Sequence, residues 1–174
     1  FYLMFGWSEE MQGDGWSITP TTSDFIGQTI TGDATSEKMI GAAGNDILSG
    51  LGGNDRIVGK NGWDKLFGGD GNDKLLGGGK DDILSGGGGK DKLIGGFGDD
   101  ILTGGSSKDI FYLSANRGRD KITDYQSKDK LKLTGGLTEN DLTIRQAGDN
   151  VKIKYEGDLM AILQDTLIAD LTFI

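Results

Sequence analysis

The 174-residue sequence contains no cysteine and no histidine. Catalysis by a Ser-His-Asp triad, a Cys-His pair or a histidine-bound metal is therefore excluded, and a zinc or copper ion would lack its preferred ligands. Proline occurs once, no apolar run is long enough to cross a membrane as a helix, and no N-terminal secretory signal is visible. Carboxylate and backbone oxygens remain as the main candidates for chemistry.

Basic residues are in the minority, with 18 Lys and Arg against 27 Asp and Glu, for a formal net charge of −9. A nucleic-acid partner is therefore disfavoured. Glycine is abundant, at 32 residues, which fits a turn-rich repeat better than a conventional core. Paired carboxylates are the remaining route to catalysis, as in glycoside hydrolysis. Because the acids here occupy repeated turns, we expect no enzyme activity within this chain.

Eight consecutive blocks of nine residues run from Gly41 to Tyr112, each opening with glycine. The sixth position is aspartate in all eight blocks: Asp46, Asp55, Asp64, Asp73, Asp82, Asp91, Asp100 and Asp109. The eighth position is apolar in all eight: Leu48, Ile57, Leu66, Leu75, Leu84, Leu93, Leu102 and Phe111. A register this regular predicts one structural unit repeated along the chain.

The residue types within a block predict a turn followed by a short strand. Glycine permits positive φ and lets carbonyl groups crowd one point, while aspartate adds an anionic oxygen. An apolar residue between two outward neighbours has the period of a strand. Two blocks then make one coil of 18 residues, and coils stack at about 4.8 Å. The aspartates would form two columns of carboxylates, which repel each other unless divalent cations lie between them.

The repeat resembles the RTX, or hemolysin-type calcium-binding, nonapeptide G-G-x-G-x-D-x-U-x. The resemblance implies an all-β fold, a right-handed parallel β-roll (a nonapeptide solenoid), with calcium held between the turns. It also implies carbonyl ligands from the first to fourth positions of the turns, beside the sixth-position aspartates. Carried onto this sequence, the predicted backbone ligands are Gly41, Ala43, Gly50, Gly52, Gly59, Lys60, Asn61, Gly62, Gly68, Gly69, Asp70, Gly71, Gly77, Gly78, Gly79, Lys80, Gly86, Gly87, Gly88, Gly89, Gly96, Gly98, Gly105 and Ser107.

An oxygen-only donor set in flexible turns favours Ca²⁺ over Mg²⁺, which prefers a strict small octahedron. Four turns in each column leave three gaps, so we expect about six ions, and more where the end segments supply substitutes. Six ions would add +12 to the net charge of −9 and give +3. Each block buries only one apolar side chain, so metal binding is expected to supply much of the folding free energy.

Departures from the repeat predict sites of unequal strength. Lys80 and Ser107 replace the fourth-position glycine, and Leu51 and Lys60 occupy second positions. We expect the sites of the last coils to be the weaker ones. Asparagines at fifth positions are interpreted as turn formers rather than direct ligands.

The flanking sequences predict caps at both ends of the roll, which we place at residues 32–112. Residues 1–31 are interpreted as an N-terminal cap or the end of a preceding domain. Within this segment, Trp7 and Trp16 either belong to the cap or form a stacking platform for sugar rings. Residues 32–40 resemble a degenerate first block, with Glu37 in place of aspartate. Because the chain begins at Phe1, we expect it to be part of a longer protein.

Residues 113–174 are predicted to cap the other end. The spacing D-x-I-x-D-aromatic, from Asp120 to Tyr125, is similar to the segment that follows RTX repeats and is expected to close the roll. DLTIRQ, NVKIKY and LMAILQ then predict antiparallel β hairpins, separated by turns at 147–149 and 156–158. The C-terminal DLTFI resembles the end of some type I secretion substrates, and a plain terminal strand explains it equally well.

Outward positions on one sheet suggest a second kind of surface. Arg56, Lys74 and Lys92 form a basic column at 18-residue spacing. It either neutralises nearby carboxylates or binds an anionic polysaccharide. Beside it runs an apolar column of Val58, Leu76, Ile94 and Tyr112, which we expect the C-terminal hairpins to cover.

Two functions therefore compete at the level of sequence. The first is a calcium-binding module that folds on binding Ca²⁺ outside the cell and serves the secretion, folding and stability of a larger exoprotein. The resemblance implies a secreted or cell-surface location reached by type I secretion, which the lack of cysteine suits. The second is a surface-adhesion or polysaccharide-binding module on a calcium-stabilised scaffold. In both, the activity of the covalently attached upstream domain is not specified by these residues.

Overall fold

The computed structural model describes residues 26–174, and these residues form an all-β fold. The two interpretations of Trp7 and Trp16, as part of a cap or as a stacking platform, concern residues outside this range. Within it, fifteen strands make two sheets, and two single 3-10 turns lie at Glu139–Asp141 and Ile168–Asp170. No helix in the described part of the chain is long and apolar enough to cross a membrane.

Ten strands come from the repeat and the segment just before it. They are β1 (Thr29–Thr31), β2 (Lys38–Ile40), β3 (Ile47–Gly52), β4 (Arg56–Asn61), β5 (Lys65–Asp70), β6 (Lys74–Gly79), β7 (Ile83–Gly88), β8 (Lys92–Phe97), β9 (Ile101–Ser106) and β10 (Ile110–Ser114). Five follow the repeat: β11 (Asp120–Ile122), β12 (Lys130–Thr134), β13 (Leu142–Ala147), β14 (Asn150–Tyr155) and β15 (Asp158–Leu163).

Odd-numbered and even-numbered strands of the roll separate into two sheets. The nine-stranded sheet has the order β1-β3-β5-β7-β9-β11-β15-β14-β13, and the six-stranded sheet the order β12-β10-β8-β6-β4-β2. Pairing within the roll is parallel and offset by 18 residues, so Leu48 lies beside Leu66 and Leu66 beside Leu84. The predicted coil of two blocks is confirmed.

The strands are longer than the pattern predicts. A typical one covers the last three positions of one block and the first three of the next, as in Lys74–Gly79. The sequence pattern marks only the half with an apolar side chain. Glycine-rich positions continue the ladder, for example Gly69 beside Gly87, because parallel pairing requires only backbone groups.

The core consists of two files of side chains between the sheets, one file from each sheet. The eight eighth-position residues, Leu48 to Phe111, have no exposed surface. Met39 extends one file before the repeat, and Ile122 and Leu131 extend the two files beyond it. Since one apolar residue per nine fills the interior, this core is narrow and continuous.

Strand pairing extends past both ends of the eight blocks. β1, within the segment interpreted as a cap, pairs in parallel with β3. After the repeat, β11 pairs with β9 and β12 with β10 at an offset of 20 residues instead of 18. The D-x-I-x-D segment therefore builds one more coil, in which Tyr125 is buried against Phe111.

The three C-terminal strands form the antiparallel hairpins that the sequence predicts. Val151 and Ile153 point inward and are fully buried, whereas Lys152 is exposed. β15 also pairs in parallel with β11, so the hairpins extend the nine-stranded sheet. Near the C-terminus, Phe173 forms a parallel bridge to Leu131 of β12.

The expectation that these hairpins cover the apolar column of Val58, Leu76, Ile94 and Tyr112 was wrong. That column lies on the six-stranded sheet, whereas the hairpins join the nine-stranded one. Its side chains remain half-buried. The pairing of β15 with β11 decides this placement, because a strand that extends one sheet is carried away from the outer face of the other.

Candidate metal centres

Turns at each edge of the roll bring the sixth-position aspartates into two columns inside the molecule. All eight are buried, with at most 3% of their surface exposed. One carboxylate oxygen of each accepts a hydrogen bond from the backbone N–H 18 residues earlier. The Asp46 N–H donates to Asp64 Oδ1 at 2.8 Å, and the Asp64 N–H donates to Asp82 Oδ1 at 2.8 Å. Successive coils therefore hold each aspartate in a fixed orientation.

The second carboxylate oxygen has no donor in seven of these eight residues. The Oδ2 atoms of Asp55, Asp64, Asp73, Asp82, Asp91, Asp100 and Asp109 are buried without a hydrogen-bond partner. Asp46 differs, because its Oδ2 accepts the Ala42 N–H at 2.7 Å. A buried polar atom without a partner costs about 1 to 3 kcal/mol, and more when it is charged. When they are ionised, seven such oxygens in regular array favour a bound cation.

The first-position glycines form a cradle around these unpaired oxygens. A Cβ atom on Gly41 would clash with Asp46 Oδ2 and lie 2.7 Å from the carbonyl oxygen of Gly59 in the next coil. At Gly68 the corresponding carbonyl oxygen is that of Gly86, at 2.6 Å. A carboxylate oxygen and a carbonyl oxygen thus converge on a space that a side chain would fill.

These donors fit calcium. Among residues 26–174, no three acidic, histidine or cysteine side chains cluster to hold a metal. The protein oxygens that lie beside the aspartates are backbone carbonyls, such as that of Gly59. Hard anionic and carbonyl oxygens in turns are the ligands that Ca²⁺ takes. When bound, the ion would supply positive charge to the buried carboxylates. The aspartates and the neighbouring carbonyl groups of the turns would hold it.

The predicted backbone ligands lie in three settings. From Gly50 onward, first-position residues are in strands, buried beside the carboxylates, and second- and third-position residues end the strands. Gly41 and Ala43 precede β3 and lie outside the strands. Fourth-position residues lie in the turns. The side chains of Lys60, Asn61, Asp70 and Lys80 are exposed, so only their carbonyl groups are candidates. Their role as ligands remains a prediction.

Departures from the glycine pattern keep the backbone conformation of the repeat. Leu51 and Lys60 have φ of 70° and 90°, and Lys80 and Ser107 have φ of 79° and 76°. The glycines at equivalent positions, such as Gly78 at 128° and Gly62 at 146°, are also in the positive region. Non-glycine residues adopt this region at a cost of about 1 to 2 kcal/mol each. The turns are therefore preserved at these four positions with some strain.

Asparagines at fifth positions lie outside the carboxylate columns. Asn45 Oδ1 accepts the Trp63 N–H at 3.0 Å, and Asn54 Oδ1 accepts the Asn72 N–H at 2.7 Å. These side chains are exposed. They connect successive turns along the outer edge.

Three further acids join the columns, and the aspartate pattern did not identify them as site residues. Glu37 occupies the sixth position of the degenerate block, its N–H donates to Asp55 Oδ1 at 2.8 Å, and its Oε2 is buried without a partner. At the other end, the Asp109 N–H donates to Asp129 Oδ1 at 3.0 Å and the Asp100 N–H to Asp120 Oδ1 at 3.4 Å. Asp120 and Asp129 lie 20 residues after their column neighbours, so a pattern with an 18-residue period does not include them.

The C-terminal end of the columns is closed partly by hydrogen bonds. The second oxygen of Asp129 accepts the Gln126 N–H at 2.8 Å. Both carboxylate oxygens of Asp124 accept backbone N–H groups, from Gly104 and Gly105, at 2.8 and 2.7 Å. Both oxygens of each of these two acids therefore have protein donors, whereas seven of the eight repeat aspartates have a donor for one oxygen only.

Burial is the main cause of the raised pKa values of the aspartates in the columns. Desolvation raises the pKa of Asp82 to about 8 and that of Asp91 to about 7, and the pKa values of Asp100 and Asp109 are raised to about 6. Repulsion from column neighbours adds to the effect at Asp82 and Asp91. Without a cation, the folded roll therefore favours protonated carboxylates.

A pH dependence of opposite sign is expected with and without calcium. For the metal-free protein, the folded-state pKa values lie above the unfolded value near 3.8, so protonation stabilises the fold below about pH 4 and this stabilisation is lost as pH rises through about 8. The β-sheet ellipticity of the metal-free protein should therefore be larger near pH 5.5 than near pH 8.5. In calcium the urea midpoint should rise with pH, because the ion binds ionised carboxylates. A metal-free ellipticity that grows with pH would contradict this assignment.

Fold and site together define a class: a parallel β-roll whose turns present rows of oxygen ligands for calcium. The family model described as RTX calcium-binding nonapeptide repeat matches the chain in four copies, at residues 31–66, 40–75, 76–111 and 85–122. These matches cover more than half of the 174 residues. The chain belongs to this family and is a calcium-binding module.

Solved structures of similar fold include two bacterial proteins. The extracellular lipase LipA from Serratia marcescens is 17% identical, with a TM-score of 0.39 over 86% of this chain. The AlgE6R3 subunit of the Azotobacter vinelandii mannuronan C5-epimerase is 23% identical, with a TM-score of 0.41 over 82% of this chain and 80% of its own length. This chain spans 40% of the length of the lipase. No curated protein matches it.

Proposed function

We propose that this chain is a calcium-driven folding module of an exported protein. It would stay unfolded where free calcium is scarce and fold outside the cell, where modules with dissociation constants of about 10⁻⁴ to 10⁻³ M become occupied. The observation that carries the proposal is the row of buried aspartate oxygens without a hydrogen-bond partner. Without a partner these oxygens destabilise the fold, and a bound cation would make them stabilise it.

Export through a type I secretion channel, to the medium or the cell surface, accords with this role. A chain without cysteine needs no oxidation before or after translocation. Coupling folding to calcium would keep the module extended until it leaves the cell. We assign no catalytic role to these residues and place any enzymatic activity in covalently attached domains of a longer protein.

A calcium titration of the metal-free protein tests the proposal. The β-sheet ellipticity should appear cooperatively, with a midpoint at about 10⁻⁴ to 10⁻³ M free Ca²⁺. A midpoint below about 10⁻⁶ M would contradict it, because a site that tight falls in the range of intracellular sensors and would be filled before export.

A second candidate function is the binding of an anionic polysaccharide or surface. Its support is the register of the six-stranded sheet, which aligns Lys38, Arg56, Lys74 and Lys92 in neighbouring strands. All four side chains are exposed. A straight row of cations would attract a linear polyanion. Loss of binding to such a polymer when Arg56, Lys74 and Lys92 are changed to Gln would assign the row this role.

A further inference from the structure

Three aromatic rings on the outside of the roll each have a cation close to their face. The Arg117 guanidinium lies 3.9 Å from the centroid of Phe97, Lys80 Nζ lies 5.7 Å from that of Trp63, and Lys132 Nζ lies 5.5 Å from that of Tyr112. Trp63 is 56% and Phe97 54% exposed. None of the three rings belongs to the buried core cluster, so packing does not explain them.

Two open grooves meet beside these rings. The first has a volume of about 510 Å³ and the second about 490 Å³, and both are lined by Asn61 and Phe97. Gly78 and Gly96 line the first groove and have no side chain to fill it. Trp63 lines the second. Together the grooves make one path along the six-stranded sheet and its adjoining turns.

The path crosses the strands, which suits a linear ligand. The first groove is lined by residues of β4, β6, β8, β10 and β12. Five strands at about 4.8 Å spacing extend over roughly 19 Å. The second groove continues to Ala43 at the level of the first repeat block. A ligand that filled the path would contact several coils at once.

The charge along the path is positive in a protein whose net charge is −9. Lys60, Lys80 and Arg117 line the grooves. Between residues 26 and 174 the ion pair found is Arg119 with Asp99, so these three cations have no acidic partner there. Asp120 is the acid on the wall of the first groove, and it is 9% exposed. The accessible charge therefore favours an anion.

The chemistry of the surface distinguishes a sugar polymer from a peptide. The path lies on the face of a sheet whose backbone groups are already paired in parallel ladders. A peptide therefore cannot add to it as an extra strand. Recognition must use side chains, here exposed rings and cations. The C–H face of a sugar ring packs on an aromatic ring, and the carboxylate of an acidic sugar pairs with lysine or arginine.

We propose that Trp63, Phe97 and Tyr112, with Lys80 and Arg117, form a binding groove for a linear polymer of uronic acid sugars. The proposal rests on the second candidate function and moves its site from the basic column to the aromatic groove. Arg117 and Lys80 hold the carboxylates beside the rings on which the sugars stack. Because the groove lies on strands of the calcium-dependent roll, binding requires the calcium-loaded fold.

Calorimetric titration of the 174-residue chain with hexagalacturonate, in excess calcium, tests this groove. The double variant Trp63→Ala/Phe97→Ala is expected to weaken binding about tenfold or more. Phe67→Ala is the matched control, because Phe67 is 38% exposed on the other sheet. The affinity of Phe67→Ala should stay within about threefold of that of the parent chain. The same is expected of the triple variant Arg56→Gln/Lys74→Gln/Lys92→Gln. Circular dichroism in calcium checks that every variant is folded.

Three other outcomes would each reject the proposed groove. If the triple variant loses binding and the double variant does not, the basic column is the site and the groove is rejected while the second candidate function stands. If the parent chain does not bind hexagalacturonate, both are rejected and calcium-driven folding is unaffected. Equal binding of neutral maltohexaose or of a single-stranded oligonucleotide would reject the assigned ligand class.

Discussion

Chelating calcium from the folded chain is expected to abolish its β-sheet signal at neutral pH. A site held at about 100 times its dissociation constant contributes roughly 2.7 kcal/mol to stability. Six such sites would contribute about 16 kcal/mol, more than the stability of about 5 to 15 kcal/mol that typical domains possess. Removing the ions also leaves the second oxygen of each buried carboxylate from Asp55 to Asp109 without a partner. The narrow core cannot offset that loss.

Far-ultraviolet circular dichroism before and after chelation, at constant ionic strength, provides the measurement. Added Ca²⁺ should restore the signal, and Mg²⁺ at the same concentration should not, because magnesium requires a small octahedral site that these turns do not impose. A β-sheet signal that persists in chelator near pH 7.5 would contradict the expectation.

Asp82→Asn is the point substitution with the largest expected effect on calcium-dependent stability. Asp82 lies between Asp64 and Asp100 in its column, accepting the Asp64 N–H and donating its own N–H to Asp100 Oδ1. Asparagine keeps an acceptor for the first bond but removes the charge from two adjacent gaps. Losing two sites filled at about 10 to 100 times their dissociation constants would cost roughly 3 to 5 kcal/mol in calcium.

The metal-free form should respond in the opposite direction. Burial raises the pKa of Asp82 to about 8, so removing its charge relieves an unfavourable desolvation. Asp81→Asn is the matched control, since Asp81 is exposed and its Oδ1 accepts the Asp99 N–H, a bond that asparagine can keep. It should change stability by less than about 0.5 kcal/mol. Urea unfolding in calcium and β-sheet ellipticity in chelator measure the effects of both substitutions, and equal effects of the two would reject the site.

The repeat register made most of the roll predictable. Glycine, aspartate and one apolar residue recur at fixed positions, and this places Leu48, Leu66 and Leu84 in one file and their aspartates in a column. Parallel pairing at 18 residues follows because each coil repeats the last. The antiparallel hairpins were also predictable, since alternation in 151–155 and two glycine turns are local signals.

Features that depend on pairing between distant segments were not predictable. Nothing local indicates that β15 adds to β11, so the hairpins were expected over the wrong sheet. The last coil is two residues longer than the others, so Asp120 and Asp129 fall out of register although the structure returns them to the columns. Similarly, the cation and ring pairs such as Arg117 with Phe97 join residues 20 positions apart on the outer surface.

The free energy of unfolding, measured in urea across a series of free calcium concentrations, tests the central claim most directly. If ions between the stacked aspartate turns hold the roll together, each ion released on unfolding adds about 1.4 kcal/mol per tenfold increase in calcium above its dissociation constant. About six ions should then give a slope near 8 kcal/mol per tenfold. A stability that does not change with calcium would contradict the account.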